Sequence, residues 1–184
     1  METTALENYL KSFARGVVHK AKKELQSKKG STALGESIDF KVTADPNGWS
    51  VKFYMLDYGT FLDKGVSGTK TKRSFTNFDG VSESSPYSYK TKGPPIDILS
   101  KWIKKKGIKP KGFGRGRSKN TGQYISAFAY LISKKIKREG IPSLSFFSKP
   151  FGEGQKNLGK NVLEALSLDI RTYITTFTKH KPKK

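Results

Sequence analysis

The chain has 184 residues, with 36 Lys and Arg against 15 Asp and Glu and a formal net charge of +21. It has no cysteine and only two histidines, His19 and His180, which exclude disulfides, thiolate metal sites, thiol nucleophiles and a histidine-rich metal centre. The length fits one domain able to bury about 70% of its unfolded surface, and the charge asks for nucleic acid, an anionic membrane or an acidic protein surface as partner.

The first predicted element is a helix over 4–29. Leu6, Leu10, Phe13, Val17, Ala21 and Leu25 recur every three or four residues, Thr4 and Glu7 have capping-box spacing, and Gly30 is a natural stop. A hairpin follows over 37–56. Ile38, Phe40 and Val42 alternate with polar residues, Asp45-Pro46-Asn47-Gly48 makes the turn, and Trp49, Val51, Phe53 and Met55 alternate again. Both strands thus present one apolar face for the helix to cover. The hairpin runs out through Leu56 to Gly68, a strand end rich in turn-forming and aromatic residues. Residues 64–94 read as a long loop with a short strand near 87–90, its aromatics Phe75, Phe78, Tyr87 and Tyr89 ordered against a partner.

Pro94-Pro95 opens a helix over 95–106 with Ile96, Leu99, Trp102 and Ile103 on its apolar side. Residues 107–122 read as a flexible basic arm. A third helix is predicted over about 121–139, with Ile125, Phe128, Ile132 and Ile136 in register and Gly140 and Pro142 ending it. Leu144 to Phe151 reads as extended. A last helix covers about 155–177, carrying Leu158, Val162, Leu166, Ile170, Tyr173 and Phe177, before a basic, disordered tail over 179–184. The expected fold is α+β: N-terminal and C-terminal helices packed on a small antiparallel sheet, one domain over 1–178, with long basic insertions. The longest apolar run, Ala127 to Ile132, is too short to span a bilayer, and Met1-Glu2-Thr3-Thr4 lacks a signal layout, so neither secretion nor a membrane partner is expected.

Acid–base chemistry needs positioned carboxylates or histidines. Asp57 and Asp63 beside Lys64 are the nearest approach to a nuclease-like metal site, but a turn-capping aspartate and a surface ion pair account for them. Gly112-Phe113-Gly114-Arg115-Gly116 follows no apolar strand and lacks the lysine and hydroxyl of a phosphate-binding loop. No enzymatic activity, cofactor, metal or small-molecule substrate is expected. The stronger signal is charge. Thirteen Lys and Arg and no acidic residue lie between Ile98 and Arg138. Lys104, Lys105, Lys106, Lys109, Lys111, Arg115, Arg117 and Lys119 are its candidate contacts to DNA or an acidic partner, a density that phosphate binding uses without fixed spacing.

The order of elements resembles the small neck and tail-completion proteins of tailed bacteriophages. The residues that carry the likeness are Ser31-Thr32-Ala33-Leu34-Gly35-Glu36-Ser37-Ile38, then the hairpin, then Tyr58-Gly59-Thr60-Phe61-Leu62-Asp63-Lys64-Gly65, and Pro150-Phe151 before the last helix. Ala33 stands where that family usually has glycine, Gly59 where alanine is common, Asp63-Lys64 in place of its glutamate, and no threonine follows Gly65. The resemblance implies a non-enzymatic virion protein, assembled in the host cytoplasm, that forms a homo-oligomeric ring at the head–tail junction. Its partners would be portal or connector proteins, tail proteins and the DNA of the exit channel. It implies subunit-interface roles for Tyr58, Gly59, Phe61, Leu62, Lys64, Gly65, Phe147 and Phe151. The alternative is a basic protein that binds DNA or RNA without catalysis.

Overall fold

The computed structural model describes residues 4–29, 32–108, 115–117 and 124–179; for 115–117, 124–126, Phe177 and Lys179 it describes the backbone alone. In chain order the elements are α1 (Thr4–Lys29), α2 (Ala33–Ser37), β1 (Asp39–Asp45), β2 (Gly48–Tyr54), α3 (Gly59–Lys64), β3 (Val66–Ser67), β4 (Ser74–Thr76), β5 (Ser82–Ser84), α4 (Ile96–Lys105), β6 (Arg115–Arg117), β7 (Tyr124–Ser126), α5 (Ala127–Glu139), β8 (Gly140–Ile141), α6 (Ser148–Gln155) and α7 (Leu158–Lys179). The fold is α+β. Its strands form two-stranded sheets, β1 with β2, β3 with β8, β4 with β5 and β6 with β7. The chain folds into two compact units interleaved in sequence: unit 1 takes 1–59, 76–81 and 145–184, and unit 2 takes 60–75 and 82–144.

Unit 1 is built on α1, whose stripe Leu6, Leu10, Ala14, Val17, Val18, Ala21 and Leu25 is buried as the 3.6-residue period requires. A fully buried aliphatic side chain contributes roughly 1.5–3 kcal/mol, so this face anchors the unit. The β1–β2 register pairs Phe40 with Phe53, Val42 with Val51 and Ala44 with Trp49, which puts the alternating apolar residues on one face as expected. In the turn only Gly48 takes positive φ, at 134°. Phe53 meets Phe147 at 5.3 Å and Phe151 at 5.8 Å between ring centroids, and Phe78 and Phe13 close on Phe151 at 4.7 and 6.2 Å.

Two expectations change here. Leu144 to Phe151 is not all extended: α6 begins at Ser148, and Pro150 sits in its first turn, where its missing N–H has no helical acceptor to lose. The Thr4–Glu7 capping box also does not form. Thr4 already lies inside α1, and Glu7 pairs with Lys11. The amides of Ala5 and Leu6 instead donate to the carboxylate of Asp169, at 2.8 and 2.9 Å. That buried aspartate in α7 caps a helix start 164 residues away in sequence.

Unit 2 is built on α4 and α5, which pack together, with β7 against α4. Its buried residues include Val66, Phe75, Ile103, Ala129 and Ser133. The region read as a loop over 64–94 holds β3 and, apart from the tip 76–81 that belongs to unit 1, the β4–β5 pair. Its own chain orders it. Ser67 donates to the Tyr87 carbonyl and accepts from Tyr89, both at 2.8 Å, and the Ser85 hydroxyl donates to the Gly65 carbonyl at 2.7 Å. The third helix starts at Ala127 and not near 121, because 124–126 pairs with 115–117 as β7 and β6, which takes Ile125 out of the helical register. Within the span read as the basic arm, 115–117 is therefore a strand, β6, paired with β7. Trp102, expected on the apolar side of α4, is 45% exposed, and Ile103 is the buried residue of that helix.

Candidate functional site

The sequence motif before the hairpin has a local explanation at Thr32, Leu34, Ser37 and Ile38. Thr32 is the N-cap of α2, its hydroxyl accepting from the Gly35 amide at 3.2 Å. Leu34 and Ile38 are each only 1% exposed, and the Ser37 hydroxyl donates to the Leu34 carbonyl and accepts from the Leu56 amide. The motif therefore tethers the entry of the hairpin to its exit.

At that exit the chain does not continue as a strand end. The Gly59 amide bonds the Leu56 carbonyl at 2.8 Å, and α3 begins. Gly59 is buried, and a Cβ there would sit 2.6 Å from Met55 Sδ, so alanine does not fit without displacing Met55. Tyr58 is exposed.

The interface candidates divide between the units and between two kinds of environment. In unit 1, Phe147 and Phe151 are half-buried in the aromatic cluster. In unit 2, Phe61 is 42% exposed while its ring makes an edge contact with Tyr87 at 4.5 Å. The Leu62 carbonyl accepts from Leu144, and Lys64 Nζ lies 5.4 Å from the centre of the Phe75 ring. Gly65 takes φ 70° with backbone atoms of Ile141 and Ser143 2.8 Å from where its Cβ would be, so it serves close packing more than turning. Tyr58 and Phe61 are the two of these candidates that offer large apolar area to a partner.

Among the carboxylates, Asp63 is buried at 4% exposure and Asp57 is exposed. Among the described residues no group of three or more His, Asp or Glu could hold a metal ion, and His19 is exposed on α1.

The positive charge is unevenly spread. Unit 2 has 19 Lys and Arg against 4 Asp and Glu, net +15 of the formal +21, in under half of the residues. Lys104, Lys105 and Lys106 are exposed at the end of α4 and form no ion pair among the described residues. Gly107, at φ 64°, closes that helix end by donating to the Lys104 carbonyl. Arg115 and Arg117 lie on β6, and Lys109, Lys111 and Lys119 fall outside the described residues.

Two features were not read from the sequence. The first is the end of α5. Thr69 and Lys70 donate their amides to the carbonyls of Lys137 and Arg138, each at 2.9 Å, and Arg73 Nε donates to the Glu139 carbonyl at 2.9 Å. Glycines allow the approach: a Cβ on Gly68 would lie 2.3 Å from the Arg138 oxygen, and one on Gly140 2.1 Å from the Val66 oxygen. Glu139 hydrogen-bonds Arg138 there, and that bond, with the charges of Lys135, Arg138 and Arg73, holds its carboxyl below the ordinary glutamate value. Burial pushes the Tyr89 phenol up in the same unit.

The second is the surface of α7 in unit 1. Leu163, Leu168, Ile170, Tyr173 and Ile174 are 43–68% exposed. The hydroxyls of Thr172, Thr175, Thr176 and Thr178 donate to carbonyls three or four residues back, so they are satisfied within the helix.

The described residues thus combine an α+β fold with an exposed apolar helix face in unit 1 and a concentration of cations in unit 2. No protein-family model, curated protein or solved structure matches the chain.

Proposed function

We propose that this chain is a structural subunit of the head–tail junction of a tailed bacteriophage. It would be a non-enzymatic neck or tail-completion protein that closes into a homo-oligomeric ring and joins the portal or connector to the tail. The observation that carries the reading is the apolar face of α7. Leu163, Ile170, Tyr173 and Ile174 fall on one side of the helix at heptad-like spacing and are about half or more exposed. Between Leu163 and Thr178 the only charged residues are Glu164, Arg171 and the buried Asp169. In a chain of charge +21, this is a surface where a second copy can approach with little repulsion. The motif order supports the same reading, as do the exposed rings of Tyr58 and Phe61. A head-to-tail contact repeated around an axis closes a ring with a single type of interface.

The test is assembly. Purified protein, alone and mixed with the connector and tail proteins of the same virus, should give ring particles by mass photometry and negative-stain microscopy. A species that stays monomeric under all of these conditions refutes the reading.

A further inference from the structure

We propose that the end of α5 in unit 2 is a binding site for the phosphate backbone of nucleic acid, separate from the basic arm. The helix itself supplies Lys134, Lys137 and Arg138. Three further cations come from distant sequence. The amide bond of Lys70 to the Arg138 carbonyl fixes one of them, and the Nε bond of Arg73 to the Glu139 carbonyl fixes another. Lys92 is placed by its neighbours: the Ser133 hydroxyl donates to the Pro94 carbonyl at 2.7 Å, and the Cα of Gly93 lies so close to α5 that a Cβ there would be 3.2 Å from Lys137 Cβ.

Helix capping does not account for this gathering. The dipole of one helix end is matched by one or two cations in the last turn. The carbonyls of Lys137, Arg138 and Glu139 are already taken by the amides of 69–71 and by Arg73. Glu139 neutralises part of the charge through Arg138 and Lys135. Lys70, Lys92 and Lys137 form no ion pair among the described residues, and Lys134 rests over the Tyr130 ring at 4.9 Å. Like charges converging from separate segments oppose folding unless a polyanion compensates them. The site holds cations on backbone-fixed supports, which suits a repeating phosphate ligand read without regard to sequence.

Phosphate binding here is independent of the neck reading, since a monomer can pass one test and fail the other. The experiment titrates a fluorescein-labelled duplex DNA of arbitrary sequence by anisotropy at several salt concentrations. Wild-type protein should bind with a steep negative slope of log affinity against log salt. Lys70→Gln, Lys92→Gln and Lys137→Gln together should lower that slope by about 2.7, at about 0.9 for each phosphate left without its cation. The corresponding arginine triple should keep it. If the glutamine triple fails to fold by circular dichroism, the single variants should each lower the slope by about 0.9.

The site is overturned by no binding by wild type at low salt, a wild-type slope in the glutamine variants, or loss confined to Arg115→Gln with Arg117→Gln in the arm. Displacement of the DNA by polyglutamate at equal charge would assign the surface to an acidic protein instead, and would also overturn it. Single-stranded DNA of the same length, run in parallel, should bind with a shallower slope.

Discussion

Replacing Asp169 tests whether a carboxylate in the last helix holds the first helix in place. Its two oxygens accept from Ala5 and Leu6 at 2.8 and 2.9 Å, and both Asp169 and Leu6 are buried. Hydrogen bonds to a charged group contribute about 1.5–3 kcal/mol each, and the two here share one acceptor group, so they do not simply add. The helix dipole adds a few tenths to about 2 kcal/mol. Asp169→Ala removes all of this and leaves two amides without a partner, a loss of about 3 kcal/mol. Asp169→Asn keeps the shape and one neutral acceptor and should lose about half as much. With a urea dependence of about 2 kcal/mol per molar, the alanine variant should unfold about 1.5 M earlier, followed by circular dichroism at 222 nm. Amide exchange should accelerate first at Ala5 and Leu6. An alanine midpoint within ~0.3 M of wild type, or an alanine loss no larger than that of asparagine, would refute the capping argument.

Two further predictions concern unit 2. Gly140→Ala should destabilise by about 3 kcal/mol or more, because φ is 73° and a Cβ would sit 2.1 Å from the Val66 oxygen, whereas Gly107→Ala, at φ 64° with nothing within 4 Å, should cost only about 1–2 kcal/mol; equal thermal shifts for the two would contradict the close-approach argument. The Glu139 carboxyl should titrate below the ordinary glutamate value, about 4.3, by NMR, and Arg138→Gln should move it upward. Because its folded value is the lower one, the stabilisation it gives is fully present above the unfolded value and is lost as pH falls through the folded one. A midpoint indifferent to Arg138→Gln would show that the hydrogen bond is not the cause.

Periodic and local features were legible in the sequence. The bounds of α1 follow from six apolar positions at helical spacing, and the β1–β2 register from strict alternation around Pro46-Asn47. The failures share a physical origin in long-range contacts. Thr4 and Glu7 have the spacing of a cap, but Asp169 competes for the same amides from across the chain. Ile125 fits a helical stripe, but pairing with Gly116 puts it in a strand. Gly65 and Gly68 read as turn formers and Gly140 as a helix stop, but they are where backbone segments press together, and no local pattern shows which segment lies opposite. The candidate contact residues divided in the same way. Tyr58 and Phe61 are exposed, while Phe151 packs in an aromatic cluster with Phe53 and Phe78. The cation cluster at the end of α5 was out of reach because Lys70 and Lys92 are 68 and 46 residues from Arg138 in sequence.

The two surfaces should respond to salt in opposite ways, and this separates the roles proposed for them. On the seam of α7, Leu163, Ile170, Tyr173 and Ile174 have about half of their area still to bury, worth about 1–1.5 kcal/mol each or about 5 kcal/mol together. Association of two bodies costs at least about 4 kcal/mol before any contact is made. One seam contact alone therefore holds two copies weakly, and a closed ring, in which every copy makes two contacts, is the arrangement that sustains it. Apolar burial does not weaken with salt, and screening of the +21 charge relieves repulsion between copies. Phosphate binding by unit 2 should weaken steeply over the same range. Ile170→Glu with Ile174→Glu should shift sedimentation toward monomer at every salt concentration while leaving the thermal midpoint within a few degrees of wild type, because both side chains are already about half exposed. DNA binding should be unchanged in that variant at low salt. Sedimentation profiles identical to wild type would remove α7 from the assembly interface, and a collapse of the thermal midpoint would show that the seam belongs to the core of unit 1.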